Sequence, residues 1–476
     1  MTRLKLYNRS LKRFALAAIV LLPCAVFGQN RAARPLGIAY THKAGAMPLV
    51  SRGHCINVIT DTADHSVVQI AATAFCDDIQ KVTGKLPVLY HGLKTGNAVI
   101  AGTIGHSALI DRLINAGKLK VGAIKDKWES FSITLIQTPF KGIGTALVIA
   151  GSDKRGTAYG LFELSRMMGV HPFYWWADIK PQHRDALYVL PCSCVEGPPS
   201  VKYRGIFLND EDWGLQPWAA KNMDTDIKDI GPKTYEKIFE LLLRLKANYI
   251  WPAMHPCTKA FWYYKGNPAL AEKYAIVLGA SHCEPMLRDN IFEWTDNFEN
   301  EYGIKPGEWR YDTNRDQIYR YWNDRVKASE HNDAVYTVGM RGIHDSGMPG
   351  PKSKTEKVKL LEQVIADQRG MLAADLKKPA QDVPQIFCPY KEVLDLYQAG
   401  MKLPDDVTIA WADDNHGYIR QLSNPQEQKR AGGGGVYYHC SYSGAHKDYL
   451  SLSSLPSSLT AYEMPKAYRF GAGRIW

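Results

Sequence analysis

Of the 476 residues only nine are cysteine, at 24, 55, 76, 192, 194, 257, 283, 388 and 440. They have neither the close paired spacing of a zinc site nor the density of a disulfide scaffold. Cys283, Cys388 and Cys440 each sit in or just after an apolar strand-like run and read as buried free thiols. Charge of one sign is also lacking: 58 basic residues against 48 acidic ones give +10, and Arg3, Lys5, Arg9, Lys12 and Arg13 fall in the first thirty positions, leaving +5 for the rest. No basic run interleaves with aromatics, so a nucleic-acid partner is excluded. After residue 30 no stretch approaches the roughly 18 uncharged apolar residues of a membrane span. The segment Ala101-Gly-Thr-Ile-Gly105 lacks the full glycine spacing and the lysine of a phosphate loop. No two histidines stand in His-x-x-x-His spacing, and no Ser, His, Asp order typical of acyl transfer is present. No metal and no organic cofactor is expected.

What is present is a foldable composition, 45% apolar, 22% charged and 11% aromatic. At about 100 to 200 residues per domain, the length predicts two or three domains. The chain opens with a basic stretch, an apolar run from Phe14 to Val26, and then Gly28, Gln29 and Asn30. Residues 1–29 read as a secretory signal peptide, which predicts a secreted or periplasmic product with no membrane attachment after cleavage. Pro23 directly before Cys24 argues against a lipoprotein anchor.

From 30 to 195 short β-branched runs alternate with amphipathic segments. Ala98–Gly102 and Ala146–Gly151 read as strands, and Leu161, Leu164 and Met168 give the helix after the second an apolar face. This predicts a small α/β N-terminal domain. Trp175 and Trp176 read as core or interdomain packing, and Gly197-Pro-Pro199 as a linker.

From 200 to 476 the rhythm changes. An apolar strand ends in a polar cluster, a helical segment follows, and the unit recurs seven times. The strand ends carry Asn209 to Asp212, then Trp251 and His255, His282 and Glu284, Arg341 with His344 and Asp345, Tyr390 with Lys391 and Glu392, Trp411 with Asp413 to Asn415, and His439 with Ser441 and Tyr442. An eighth unit begins with a helix near Leu459 to Arg469 and then Arg474, Ile475 and Trp476. Alternating strands and helices require a mainly parallel sheet, and eight units close a (β/α)8 barrel. Acids, aromatics and histidines gather at the C-terminal end of every readable strand, the rim where such barrels keep their active sites.

Carboxylates beside aromatic platforms are the equipment of glycoside hydrolysis, in which one carboxylic acid protonates the leaving oxygen and a second carboxylate activates water or attacks the sugar. Asp210, Glu211 and Asp212 in succession cannot all face the pocket, because neighbours alternate sides near a strand end. The same holds for Asp413 and Asp414.

The stretches Tyr203-Arg-Gly-Ile-Phe-Leu-Asn-Asp-Glu-Asp-Trp213, Trp251-Pro-Ala-Met-His255, Ser281-His-Cys-Glu-Pro-Met286, Arg341-Gly-Ile-His-Asp345 and Trp411-Ala-Asp-Asp-Asn415 resemble glycoside hydrolase family 115, the xylan α-1,2-glucuronidases. The likeness extends upstream through Gly151-Ser-Asp-Lys-Arg-Gly156 and Tyr174-Trp-Trp-Ala-Asp178. The resemblance implies removal of glucuronic acid, or its 4-O-methyl form, from glucuronoxylan with inversion. It makes Asp345 and Glu392 the first candidates for the proton-transferring carboxylates, with Asp210, Glu211 and Asp413 as contenders. Arg341 would hold the uronate carboxylate, and Trp251, His282, Tyr390, Asn415 and Tyr442 would line the sugar site. The expected partners are xylan or glucuronoxylan oligosaccharides. Family members continue past the position of Trp476, so the sequence predicts a barrel that stops at the start of its eighth strand, with two open edges. A truncated, inactive uronic-acid-binding pseudoenzyme and a retaining hexosaminidase-like hydrolase are the competing expectations.

Overall fold

The computed structural model describes residues 35–209, 211–414, 416–440 and 455–475. The segment read as a signal peptide lies outside them, as do Asp210, Asn415 and Tyr442.

The first half carries two sheets. Ile38–Ala39, Leu187–Val189, Met47–Ser51 and His54–Cys55 make a four-stranded antiparallel sheet. The other has six strands, with Leu89–Tyr90, Asn57–Ile59, Ala98–Thr103 and Thr145–Gly151 running parallel. Ala98–Thr103 is buried at every position, as expected of a parallel strand covered on both faces. The helices Ser66–Thr83 and Lys154–Met167 cover one face, and the second is capped by the Asp153 carboxylate accepting from the Gly156 amide at 2.8 Å.

The second half is a ring of eight parallel strands: Tyr203–Phe207, Tyr249–Trp251, Val277–Leu278, Tyr336–Thr337, Gln385–Phe387, Thr408–Ala412, Gly434–Tyr437 and Ala472–Ile475. Seven neighbouring pairs share a ladder, and a parallel bridge from Leu278 to Ala334 joins the third strand to the fourth. The expectation of two open edges is thereby corrected. The eighth strand has four residues, and they pair with the seventh strand on one side and the first on the other. Tyr203, Tyr249, Trp251, Val277, Val335, Ile386, Cys388, Ala410 and Tyr437 fill the interior. Gly205 is demanded by this closure, because a Cβ there would stand 2.1 Å from the Tyr249 carbonyl oxygen.

The two halves are joined through charged groups that satisfy one another. Arg244, on the barrel helix Pro232–Arg244, donates to both oxygens of Asp78 at 2.7 and 3.1 Å, with both side chains buried. Glu129 accepts from Arg155, Arg204 and Asn248 at 2.5 to 2.7 Å. A cavity of about 360 Å³ beside this network is lined by Trp128, Lys202, Tyr203 and Asp333. It lies at the N-terminal end of the barrel strands, the end that serves stability in such folds.

Candidate active site

A second cavity, of about 430 Å³, opens at the C-terminal ends of the strands. Its wall combines aromatic and imidazole rings with a few charged groups: Phe207, Trp213, Tyr390 and Tyr437, then His255, His282, His344 and His439, then Asp212, Asp345 and Lys391. Such a mixture of apolar faces and convergent polar groups is typical of a small-ligand site.

Three of the imidazoles are held by carboxylates. His255 Nδ1 lies 3.1 Å from Asp212 Oδ1, His282 Nε2 lies 2.9 Å from Asp345 Oδ1, and His439 Nδ1 is in close contact with Asp413 Oδ1. The fourth, His344, accepts the Asp345 amide hydrogen at Nδ1 over 3.0 Å, which fixes its proton on Nε2 when neutral. Burial pushes the His282 imidazole below its ordinary pKa despite the hydrogen bond to Asp345. Burial and the neighbouring His255 do the same for His344. His282 Nδ1 is buried with no hydrogen-bond partner among the described residues.

Asp345 is the most heavily compensated carboxylate on the wall. It receives hydrogen bonds from His282, from Arg341 Nη1 and from Lys391 Nζ. Burial opposes its ionisation, but the hydrogen bonds of His282 and Lys391 and the Arg341 charge prevail and hold it well below the usual carboxylate range. Glu392 does not line the cavity. It sits behind Arg341, accepting from Nε at 3.1 Å, from Nη2 at 2.7 Å and, through Oε1, from the Met348 amide at 2.9 Å. Burial raises its pKa, and the Arg341 hydrogen bond outweighs that and lowers it overall.

These contacts place the residues expected from the sequence at different depths. Arg341 was to hold a substrate carboxylate, yet its guanidinium is 2% exposed and is committed to Glu392 on one edge and Asp345 on the other. Trp251 was to line the sugar site but is fully buried one layer below it, with ring centroids 5.3 and 5.4 Å from Phe207 and Tyr437, which do line it. Glu211 and Asp413 are buried beneath the wall. Glu211 accepts from the Met254 and His255 amides at 2.6 Å, and its Oε2, 3.9 Å from His255 Nδ1, has no hydrogen-bond partner among the described residues. Burial favours its protonated form. Asp413 accepts from the amides of Gly417 and His439 at 3.2 Å. His282 and Tyr390 do line the cavity, with ring centroids 4.5 Å apart.

The residue that sequence reasoning passed over is Lys391. It stood between two named candidates and lines the wall with half its side chain exposed. Its φ is +50°, and that of His344 is +56°, left-handed values that are uncommon outside glycine. Two such residues flanking one carboxylate are the kind of local strain found where function over-determines the backbone. Among the described residues no group of three or more His, Cys, Asp or Glu side chains is arranged to hold a metal ion.

The profile described as Glycosyl hydrolase family 115 matches residues 196–476. Among solved structures, the chain is similar to a family GH115 4-O-methyl-α-glucuronidase with specificity for decorated arabinogalactans, at 42% identity and a TM-score of 0.80, covering 88% of this chain and 53% of that one. The chain thus spans about half the length of that structure. A family GH20 exo-β-N-acetylglucosaminidase from Vibrio harveyi matches at 10% identity and a TM-score of 0.48, over 93% of this chain and 65% of that one. No curated protein matches the chain.

Proposed function

The chain belongs to glycosyl hydrolase family 115, and from that premise we propose that it is an α-glucuronidase releasing glucuronic acid or its 4-O-methyl form from a plant polysaccharide, with glucuronoxylan as the expected substrate. The observation that carries this reading is Asp345: an ionised carboxylate on the wall of a cavity of about 430 Å³, supported by His282, Arg341 and Lys391.

In this reading the sugar ring rests against Tyr390 and Tyr437. Asp345 takes one proton from water while the water oxygen bonds to the anomeric carbon and the glycosidic C–O bond breaks. The leaving oxygen receives its proton from the Glu211 and His255 pair, whose carboxyl group favours the protonated form and whose imidazole reaches the wall. Glu392 and Asp413 do not touch the sugar: Glu392 fixes Arg341, and Asp413 fixes His439. Attack by water in one step inverts the anomeric centre. Residues 1–29 then direct export, and residues 30–195 form the unit on which the barrel of 200–476 is built.

The test is to incubate the full chain with glucuronoxylan and with decorated arabinogalactan and to follow the first anomer released by proton NMR. Free β-glucuronic acid is expected first. Initial release of the α-anomer would refute inversion, and cleavage of other glycans without any uronic acid would refute the substrate class.

A further inference from the structure

We propose that Lys391 reads the substrate's carboxylate, and that the uronate, by drawing Lys391 off Asp345, unmasks the base that will attack it. This inference rests on the glucuronidase reading above and adds to it the residue and the switch that select an acidic sugar.

Of the cations near the cavity, Arg341 is buried with both edges engaged by carboxylates, so a third carboxylate would have to displace one of them. Among the described residues Lys391 is the cation that lines the wall, and its ammonium has a single carboxylate partner there, Asp345 Oδ2. A lysine is a compact point charge on a flexible stem, able to exchange one carboxylate for another by rotating its side chain. Its left-handed backbone turns it onto the wall, while the next residue, Glu392, starts the helix Glu392–Gln398 and faces Arg341.

In the empty site Lys391 therefore neutralises the carboxylate proposed as the base. A uronate entering the cavity brings a carboxylate of its own, and Lys391 moves to it. Asp345 keeps Arg341 and His282 but loses one cation, and becomes more basic at the moment water must be deprotonated. A neutral sugar of the same shape offers Lys391 nothing, so it binds to an enzyme whose base stays masked. Discrimination then appears in kcat as well as in KM, because part of the binding interaction is used to activate the reaction.

The decisive experiment compares the glucuronate-decorated oligosaccharide that the full chain cleaves with its carboxyl-reduced counterpart, in which the same linkage carries neutral glucose. Wild type should prefer the acidic substrate in both kcat and KM. Lys391→Met should lower kcat/KM on the acidic substrate by about 5- to 100-fold, the range for losing one charge pair whose lysine is half exposed. On the neutral substrate the same variant should lose far less than on the acidic one. Lys391→Arg should retain most of the preference, which separates a charge effect from a folding defect.

The pH profile supplies a readout that a structural lysine would not move. The groups facing Asp345 are His282, Arg341, His344, Tyr390, Lys391 and the thiols of Cys283 and Cys388. Only Lys391 is released by substrate, so the acid limb of kcat should lie above that of kcat/KM in wild type, and the two limbs should coincide in Lys391→Met. Lys391→Met keeping the preference for the acidic substrate, or losing activity equally on both, overturns the proposal. If wild type itself releases no glucuronic acid, it is the functional reading that fails, and the two failures are told apart by that control.

Discussion

Arg341 separates two accounts of the site, and replacing it should distinguish them. If it were a substrate-binding arginine, Arg341→Met would lose affinity for the acidic sugar and leave the fold intact. The geometry predicts the reverse. The guanidinium is 2% exposed, donates to Glu392 through Nε and Nη2 at 3.1 and 2.7 Å, and to Asp345 through Nη1. Removing one partner of a fully buried pair costs about 3–5 kcal/mol. Both carboxylates here are about one third exposed, 31% and 32%, so water recovers part of that and roughly 2–4 kcal/mol is expected. At about 2–4 °C per kcal/mol for a unit of this size, the barrel transition should fall by roughly 4–16 °C in thermal unfolding followed by circular dichroism. Arg341→Lys should recover little, because one ammonium cannot serve both edges. Adding Glu392→Gln to Arg341→Met should restore part of the loss by removing the stranded charge. Activity should fall alike on acidic and carboxyl-reduced substrates. A melting temperature within about 1 °C of wild type, with weakened binding confined to the acidic sugar, would refute this and return Arg341 to the uronate.

Asp345→Asn should lower kcat by about 10²- to 10⁴-fold with a modest change in KM, as measured by steady-state release of uronic acid. Burial and the negative Glu293 raise the Asp289 carboxyl to about 8, and its Oδ2 has no hydrogen-bond partner among the described residues. A raised folded value contributes stability below the unfolded value of about 4 and loses it as pH climbs towards 8, by at most about 1.4 kcal/mol per pH unit. Denaturant midpoints should therefore decline from pH 5 to 8, and Asp289→Asn should flatten that decline; an unchanged slope would exclude Asp289 as its source. His282 has the opposite sign, since burial depresses its folded value and its stability is present above about pH 6.5 and lost as pH falls below it. Destabilisation between pH 6.5 and 5 should be smaller in His282→Gln, and equal slopes would rule that out.

The barrel was readable from sequence because strands buried on both faces leave apolar runs, and an eightfold alternation of such runs with helices has few other solutions. Their lengths were not. Val335–Met340 reads as one strand, but the ladder holds only Tyr336–Thr337. Gln368, fully buried on the helix Lys354–Asp375, bonds both the amide and the carbonyl of Gly339, at 2.7 and 2.8 Å. Val338 still donates to Ile386, but at Gly339 a side chain from the following helix takes over both backbone hydrogen bonds, and no local pattern announces it.

The site divides in the same way. That Asp345, His282 and Tyr390 belong to the rim follows from their place just beyond apolar runs. Which of two neighbours faces the cavity does not. Glu392 resembles a catalytic carboxylate in sequence, yet Lys391, one position earlier, holds the wall, because φ at Lys391 is positive and Arg341, 51 residues away, claims Glu392. Strand alternation cannot resolve such a choice once the chain has left the strand. What resolves it is charge pairing: a buried guanidinium requires carboxylates, and the two nearest are those that sequence reasoning had set aside for water and sugar. The buried arginine takes Glu392 out of the cavity wall and helps hold Asp345 ionised, so among the described residues the cation left for a substrate carboxylate is Lys391, on the exposed side of the turn that begins the Glu392 helix.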